Sequence, residues 1–130
     1  MTWEPELEEL RQRQALAREM GGPDKIARQR AAGRLTVRER IGALLDAGSF
    51  TEYGGLAIAA QRSRRPLAEL QRQTPADGLV AGTGAVAGRP VAVLAYDYTV
   101  LAGTQGVFNH RKADRLLEIA ERERLPVVLF

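Results

Sequence analysis

The sequence predicts an α/β fold, and three features of its C-terminal half carry the prediction. Two apolar segments, "GLVAGTGAVAG" and "RPVAVLAYDY", meet at a tight Gly88-Arg89 turn and read as a strand pair. A helical stripe over residues 105–124 follows, and "VVLF" returns to strand character behind Pro126. Strand, helix and strand at this spacing form a βαβ unit, expected to be right-handed with parallel strands.

Residues 4–20 form the first predicted helix, with Leu7, Leu10, Ala17 and Met20 on a sparse apolar stripe. Gly21-Gly22-Pro23 ends it, and Pro23 suits the first position of the next helix. "PDKIARQRAAG" is then a short, strongly basic helix stopped by Gly33. Thr36 and Glu39 have the Thr-x-x-Glu spacing of a capping box. Behind it, Ile41, Leu44 and Leu45 share one helical face, and Gly48 closes the helix. These stripes are narrow, so residues 1–50 are expected to be a helical arm that another surface must cover. Residues 51–76 read as an irregular connection. There "GGLAIAA" fits a strand or a turn of helix, and "QRSRRPLAELQRQTPAD" fits a polar loop with one short helix.

Residues 77–130 hold the α/β unit itself. Gly82 and Gly84 suggest close packing against another backbone. The second strand is apolar on both faces and therefore asks for cover on each side. In the helix, Ala113, Leu116, Leu117 and Ala120 fall at i, i+3, i+4 and i+7, opposite Arg115, Glu118 and Arg122. "VVLF" reads as a further buried strand, and four apolar residues at Phe130 lead us to expect completion by more chain or by a partner.

Composition narrows the chemistry. With no cysteine there is no disulfide, thiolate metal site or Cys nucleophile. The single histidine, His110, makes a His-based metal centre unexpected and reads as a surface or capping residue. No nucleophile elbow accompanies it. "MTWEPELEEL" lacks a signal-peptide core and no window reaches membrane-span length, so a cytoplasmic protein without a membrane partner is expected. The net charge of +3 is concentrated: Lys25, Arg28, Arg30, Arg34, Arg38 and Arg40 stand against Asp24 and Glu39. That run is either a set of solvated helix faces or a site for an anion. Without interleaved aromatics or a recognition helix, nucleic acid is not an expected partner.

The corner "YDYTVLAGTQG", residues 96–106, is where ligand chemistry is expected. Open α/β sheets bind ligands beyond the C-terminal ends of strands, and a helix N-terminus favours anions. Gly103 and Gly106 permit close approach to the main chain, and Thr104 reads as an N-cap or a hydrogen-bond donor. The segment is neither GxGxxG nor a P-loop, so a tight structural turn is the alternative. Asp97 has no partner acid or base and reads as a residue that shapes the turn. Lys112 reads as exposed or as a phosphate contact. No catalytic residue and no metal ligand are assigned.

Two segments together resemble a known family. The first is "GGPDKIARQRAAGRLTVRERIGALLDAGSFTEYG", with Gly33 to Ile41, Leu44, Leu45 and Gly48 to Phe50 carrying the match. The second runs from Asp77-Gly78 through "VAGTGAVAGRPVAVLAYDYTVLAGT" to "ADRLLEIAERERLPVVLF", with Asp97, Thr99, Val100, Gly103 and Thr104 at its corner. Ala102 stands where glycine is more usual. In order and spacing these resemble the biotin-dependent acyl-CoA carboxyltransferases, the β-type subunits of propionyl-CoA, methylcrotonyl-CoA, acetyl-CoA and related carboxylases.

The resemblance implies a crotonase-like (ββα) spiral fold, of which this chain is the N-terminal portion, and a symmetric homo-oligomer. It implies transfer of a carboxyl group from carboxybiotin, carried by a partner protein or domain, to the α-carbon of an acyl-CoA. Biotin carboxyl carrier and biotin carboxylase components are the implied partners. Enolate oxygens in that chemistry are held by backbone N–H groups. The resemblance puts the first such hole downstream of Phe130, so the 130 residues alone are expected to be inactive. It makes Thr99, Ala102, Gly103 and Thr104 candidates to lie against a coenzyme A thioester, with Lys112, Arg34 and Arg38 meeting its phosphates. Another crotonase-fold CoA-thioester enzyme, a hydratase or decarboxylase, and a non-enzymatic CoA-binding or assembly protein are the alternatives.

Overall fold

The computed structural model describes residues 1–130. In chain order the elements are α1 (Glu4–Arg18), α2 (Pro23–Ala31), α3 (Val37–Leu44), β1 (Thr51–Tyr53), α4 (Leu67–Gln73), β2 (Leu79–Val86), β3 (Arg89–Tyr96), α5 (Val107–Glu123) and β4 (Val127–Leu129). Short tight turns occupy Pro75–Gly78 and Leu101–Gly103. The strands form one sheet in the order β1-β2-β3-β4. The first two pairings are antiparallel, and β3 pairs with β4 in parallel across the α5 crossover.

Alternation along β3 explains why the sheet is covered twice. Val91, Val93 and Ala95 join Val80 on one face and pack against Met20, Val37, Ile41 and Leu45 from the helical arm. Ala92 and Leu94 join Leu79 and Ala81 on the other face, under Leu116 and Ala120 of α5. Both faces of the apolar strand are thus hidden, as its composition requires. The arm owes its fit to the capping box. The Glu39 N–H donates to Thr36 Oγ1 at 3.2 Å, and the Thr36 N–H donates to Glu39 Oε2 at 2.8 Å. Arg30 also reaches Glu39 and so ties α2 to α3. The Thr36 N–H first, then Arg30, hold the Glu39 carboxyl below the usual carboxylate range.

Several elements differ from expectation. "GGLAIAA" is neither strand nor helix; the strand lies just before it, at β1, where Gly82 admits the close approach of Thr51. A Cβ on Gly82 would overlap the Thr51 carbonyl, whereas Gly84 faces the Leu45 side chain rather than a backbone. No residue of α1 is buried, and Leu7 and Leu10 are exposed. Only Met20 of that stripe reaches the core, because the chain turns there at φ 53. Leu117 lies at the edge of the α5 stripe and is exposed. Val127, Leu129 and Phe130 are exposed too, since β4 is an outer strand of the sheet. No helix is long and apolar enough to cross a membrane.

Candidate functional site

The corner after β3 is built on a buried carboxylate. Asp97 Oδ1 accepts the Thr99 N–H at 2.9 Å and the Thr99 hydroxyl at 2.6 Å. Burial pushes the Asp97 carboxyl above its ordinary range, and the Thr99 bonds oppose that rise. The Asp97 N–H donates to Gly78 O at 2.8 Å, which ties the corner to the start of β2. Thr99 Oγ1 in turn accepts the Gly21 N–H at 2.9 Å, from 78 residues earlier. Only glycine fits at that junction, because an added Cβ would overlap the Thr99 carbonyl. The result is a fixed placement of α2 across the strand end.

Beyond Thr99, Leu101, Ala102 and Gly103 take successive left-handed conformations, at φ 47, 52 and 75. For the two residues with a Cβ this costs roughly 1–2 kcal/mol each. Open space surrounds the position a Gly103 Cβ would occupy. Glycine there serves the backbone angle, and the corner stays bare on its outer side.

Between α2 and the corner lies a cleft of about 410 Å³, lined by Lys25, Arg28, Gln29, Ala32, Arg34, Tyr98, Thr99 and Ala102. Small-molecule sites commonly occupy roughly 300–1,000 Å³. A further lobe of about 210 Å³ shares Gln29, Arg34 and Tyr98 and adds Val37, Arg40 and Tyr96. Lys25, Arg28, Arg34 and Arg40 form no ion pair. Unneutralised cations beside two tyrosines make a groove suited to a phosphorylated, flat ligand. A larger cleft of about 490 Å³ opens around Gln14, Arg18, Arg38 and Glu52, and one of its two cations, Arg38, is already paired. Arg38 grips the Glu52 carboxylate with two bonds of 2.9 and 3.0 Å, joining α3 to β1.

Of the residues expected at the site, Thr99, Ala102 and Arg34 line the groove together. Gly103 and Thr104 follow directly behind Ala102 without lining it. Thr104 does not cap α5; its hydroxyl donates to Leu101 O at 2.5 Å, and the N-cap position is Gly106. Arg38 is committed to Glu52, so its charge is spent inside the protein. Lys112 is neither exposed nor a surface phosphate contact. It is 8% exposed, and its Nζ donates to Ala76 O and Leu79 O at 2.5 Å each. Burial lowers its pKa to about 8, against the opposing pull of Glu52 and Asp77.

The N-terminus of α5 is likewise filled from within. Asp77 Oδ2 accepts the Asn109 N–H at 2.8 Å, while Asn109 Nδ2 donates to Asp77 O at 3.0 Å. Burial raises the Asp77 carboxyl, and the Asn109 N–H and Lys112 oppose it. Gly106 stays small because a Cβ there would come within 2.8 Å of that carboxylate. The position where an anionic ligand was expected therefore belongs to Asp77. His110 is exposed on the helix. Sequence reasoning left Lys25 and Arg28 in a basic run open to an anion without assigning them to this corner, and it passed over Gln29 and Tyr98. A signal existed for the first three: with Ala32 they fall at i, i+3, i+4 and i+7 of α2, a single helical face.

The carboxyl transferase domain family matches residues 28–130 of the chain. The chain is 38% identical over 123 residues to the propionyl-CoA carboxylase beta chain of Roseobacter denitrificans, covering 94% of this chain and 23% of that one. Among solved structures it is similar to a single-chain, multi-domain long-chain acyl-CoA carboxylase, at 54% identity and a TM-score of 0.90 over 96% of this chain and 13% of that chain. It is also similar to transcarboxylase 12S, a hexamer with methylmalonyl-coenzyme A bound, at 32% identity and a TM-score of 0.85 over 100% of this chain and 25% of that chain. The chain spans about a quarter of the length of the curated relatives it matches.

Proposed function

The chain belongs to the carboxyl transferase domain family, and on that premise we propose that it forms the N-terminal portion of an acyl-CoA carboxyltransferase. Its fold is the opening part of a crotonase-like α/β spiral, with β2, β3 and α5 as one ββα unit. The reaction is transfer of a carboxyl group from carboxybiotin to the α-carbon of an acyl-CoA. A biotin carboxyl carrier delivers that group, a biotin carboxylase component loads it, and the enzyme works in the cytoplasm as a homo-oligomer.

One observation carries this reading for the chain's own residues. Lys25, Arg28 and Arg34, none of them ion-paired, face the strand-end corner across a groove that the Gly21–Thr99–Asp97 bonds hold open. Coenzyme A has a 3′-phosphate and a diphosphate at its adenosine end, and guanidinium groups bind phosphate oxygens in pairs. Thr99 and Ala102 are a small floor for that end of the ligand, with Gly103 and Thr104 behind it. Carboxybiotin supplies the carboxyl group when bound. The residues here bind and orient the thioester, because Asp97 is committed to Thr99 and Asp77 to Asn109. Crotonase-type hydratases and decarboxylases also take CoA thioesters, and the family match over residues 28–130 favours carboxyl transfer.

Calorimetric titration with CoA and with 3′-dephospho-CoA tests the reading. Losing Lys25 and Arg28 together, as K25A/R28A, is expected to weaken CoA binding by about tenfold to a hundredfold, the scale of charged hydrogen bonds. Binding should also weaken as salt is raised. Equal affinity in the double variant, or no response to salt, refutes it.

A further inference from the structure

Among the side chains that line the groove, Gln29 is left with an unmet need. Its Nε2 donates to Leu35 O at 2.7 Å, whereas its Oε1 is buried without a hydrogen-bond partner. A buried acceptor that has lost water and found no donor costs roughly 1–3 kcal/mol. Two other buried atoms share this condition, Arg38 Nε and Asn109 Oδ1, but neither residue lines the groove. Gln29 lines both of its lobes, as do Arg34 and Tyr98, and Tyr98 is 63% exposed.

The missing partner must be a donor. Ionised phosphate oxygens only accept, so the cations that draw phosphate into the groove do nothing for Gln29. We propose that Gln29 Oε1 accepts the exocyclic amine of adenine, so that the groove reads the base of a coenzyme A thioester while the neighbouring cations hold its phosphates. This rests on the groove being the CoA site. The ring of Tyr98 is the flat wall beside the base; the Gln29 amide meets the amine by turning about its last, soft torsion, and water takes over its exposed bond to Leu35 O. A purine with a carbonyl in place of the amine sets acceptor against acceptor and is rejected.

Adenosine 3′,5′-bisphosphate and inosine 3′,5′-bisphosphate have the same phosphates and differ at that one group. The adenosine compound is expected to bind about tenfold more tightly, the effect of one net hydrogen bond. Gln29→Met should remove the preference, so that the adenosine and inosine compounds bind alike. In ¹⁵N–¹H spectra of the unaltered protein, the Gln29 side-chain amide should shift with the adenosine compound only. Equal binding of the two, a preference that survives in Gln29→Met, or an amide signal that does not move overturns the inference while leaving the phosphate groove intact. If neither compound binds, the groove is not the CoA site and both readings fall together.

Discussion

Two left-handed turns lie side by side at one end of the sheet, and the protein finishes them in opposite ways. Ala76-Asp77-Gly78, at φ 56, 47 and 72, precedes β2, and Leu101-Ala102-Gly103 follows β3. They touch through the Asp97 N–H on Gly78 O and through Val100 packed over Gly78. The first turn is buried and filled: Asp77 caps α5, and Lys112 binds the carbonyls on either side. The second is held only by bonds within its own segment, from the Gly103 N–H to Val100 O and from Thr104 to Leu101 O. A small-residue loop ahead of a helix is therefore not by itself a vacant anion site. Here the helix end is spoken for, and the cations left without an ion pair, Lys25 and Arg28, stand on α2 across the groove.

Breaking the closed turn should have the largest effect. Asp77→Ala removes the α5 cap and leaves Lys112 buried with less opposing charge, for an expected loss of about 2–3 kcal/mol in urea unfolding. A loss near zero would put both turns in the same class. Titration separates them next. Because burial holds Lys112 near 8, the folded protein gives up that proton before the unfolded chain does, so stability rises with pH from there to the ordinary lysine range. The groups facing this ammonium are Glu52, Asp77 and Arg38. Lys112→Met should flatten a rise of at most about 1.4 kcal/mol per pH unit. An unchanged slope would mean that another group titrates. The smallest effect belongs to the open turn. Ala102→Gly relieves a left-handed Cβ and should raise stability by about 0.5–1 kcal/mol in thermal unfolding. A decrease would show that the open turn is not strained.

What could be read in advance follows sequence distance. The capping box spans three residues and the α5 stripe repeats within one helix, so both are visible as local patterns. The strand pair is equally local, meeting at one tight turn. The burial of Lys112 also had a local signal, since Asn109, Lys112, Leu116 and Ala120 share one face of α5. Charge masked it: a lysine in that stripe reads as solvent-facing unless the carbonyls that receive it are known. Those carbonyls lie 36 and 33 residues away, and the carboxylate that caps α5 lies 32 residues away. The Arg38–Glu52 pair, 14 residues apart, withdrew an arginine from the expected phosphate contacts for the same reason. No pattern within one segment reveals a partner supplied by another.

The glycine-to-threonine bond that sets α2 over the strand end also fixes when the groove can exist. Its two walls come from chain segments 78 residues apart at that bond. They meet only after a long loop has closed, a step whose entropic penalty precedes any reward. The capped helix rests on bonds between neighbours in sequence, whereas the groove rests on that long-range closure. Any ligand that binds only the finished groove would stabilise the closed chain by RT ln(1 + L/Kd), growing with the logarithm of its concentration L.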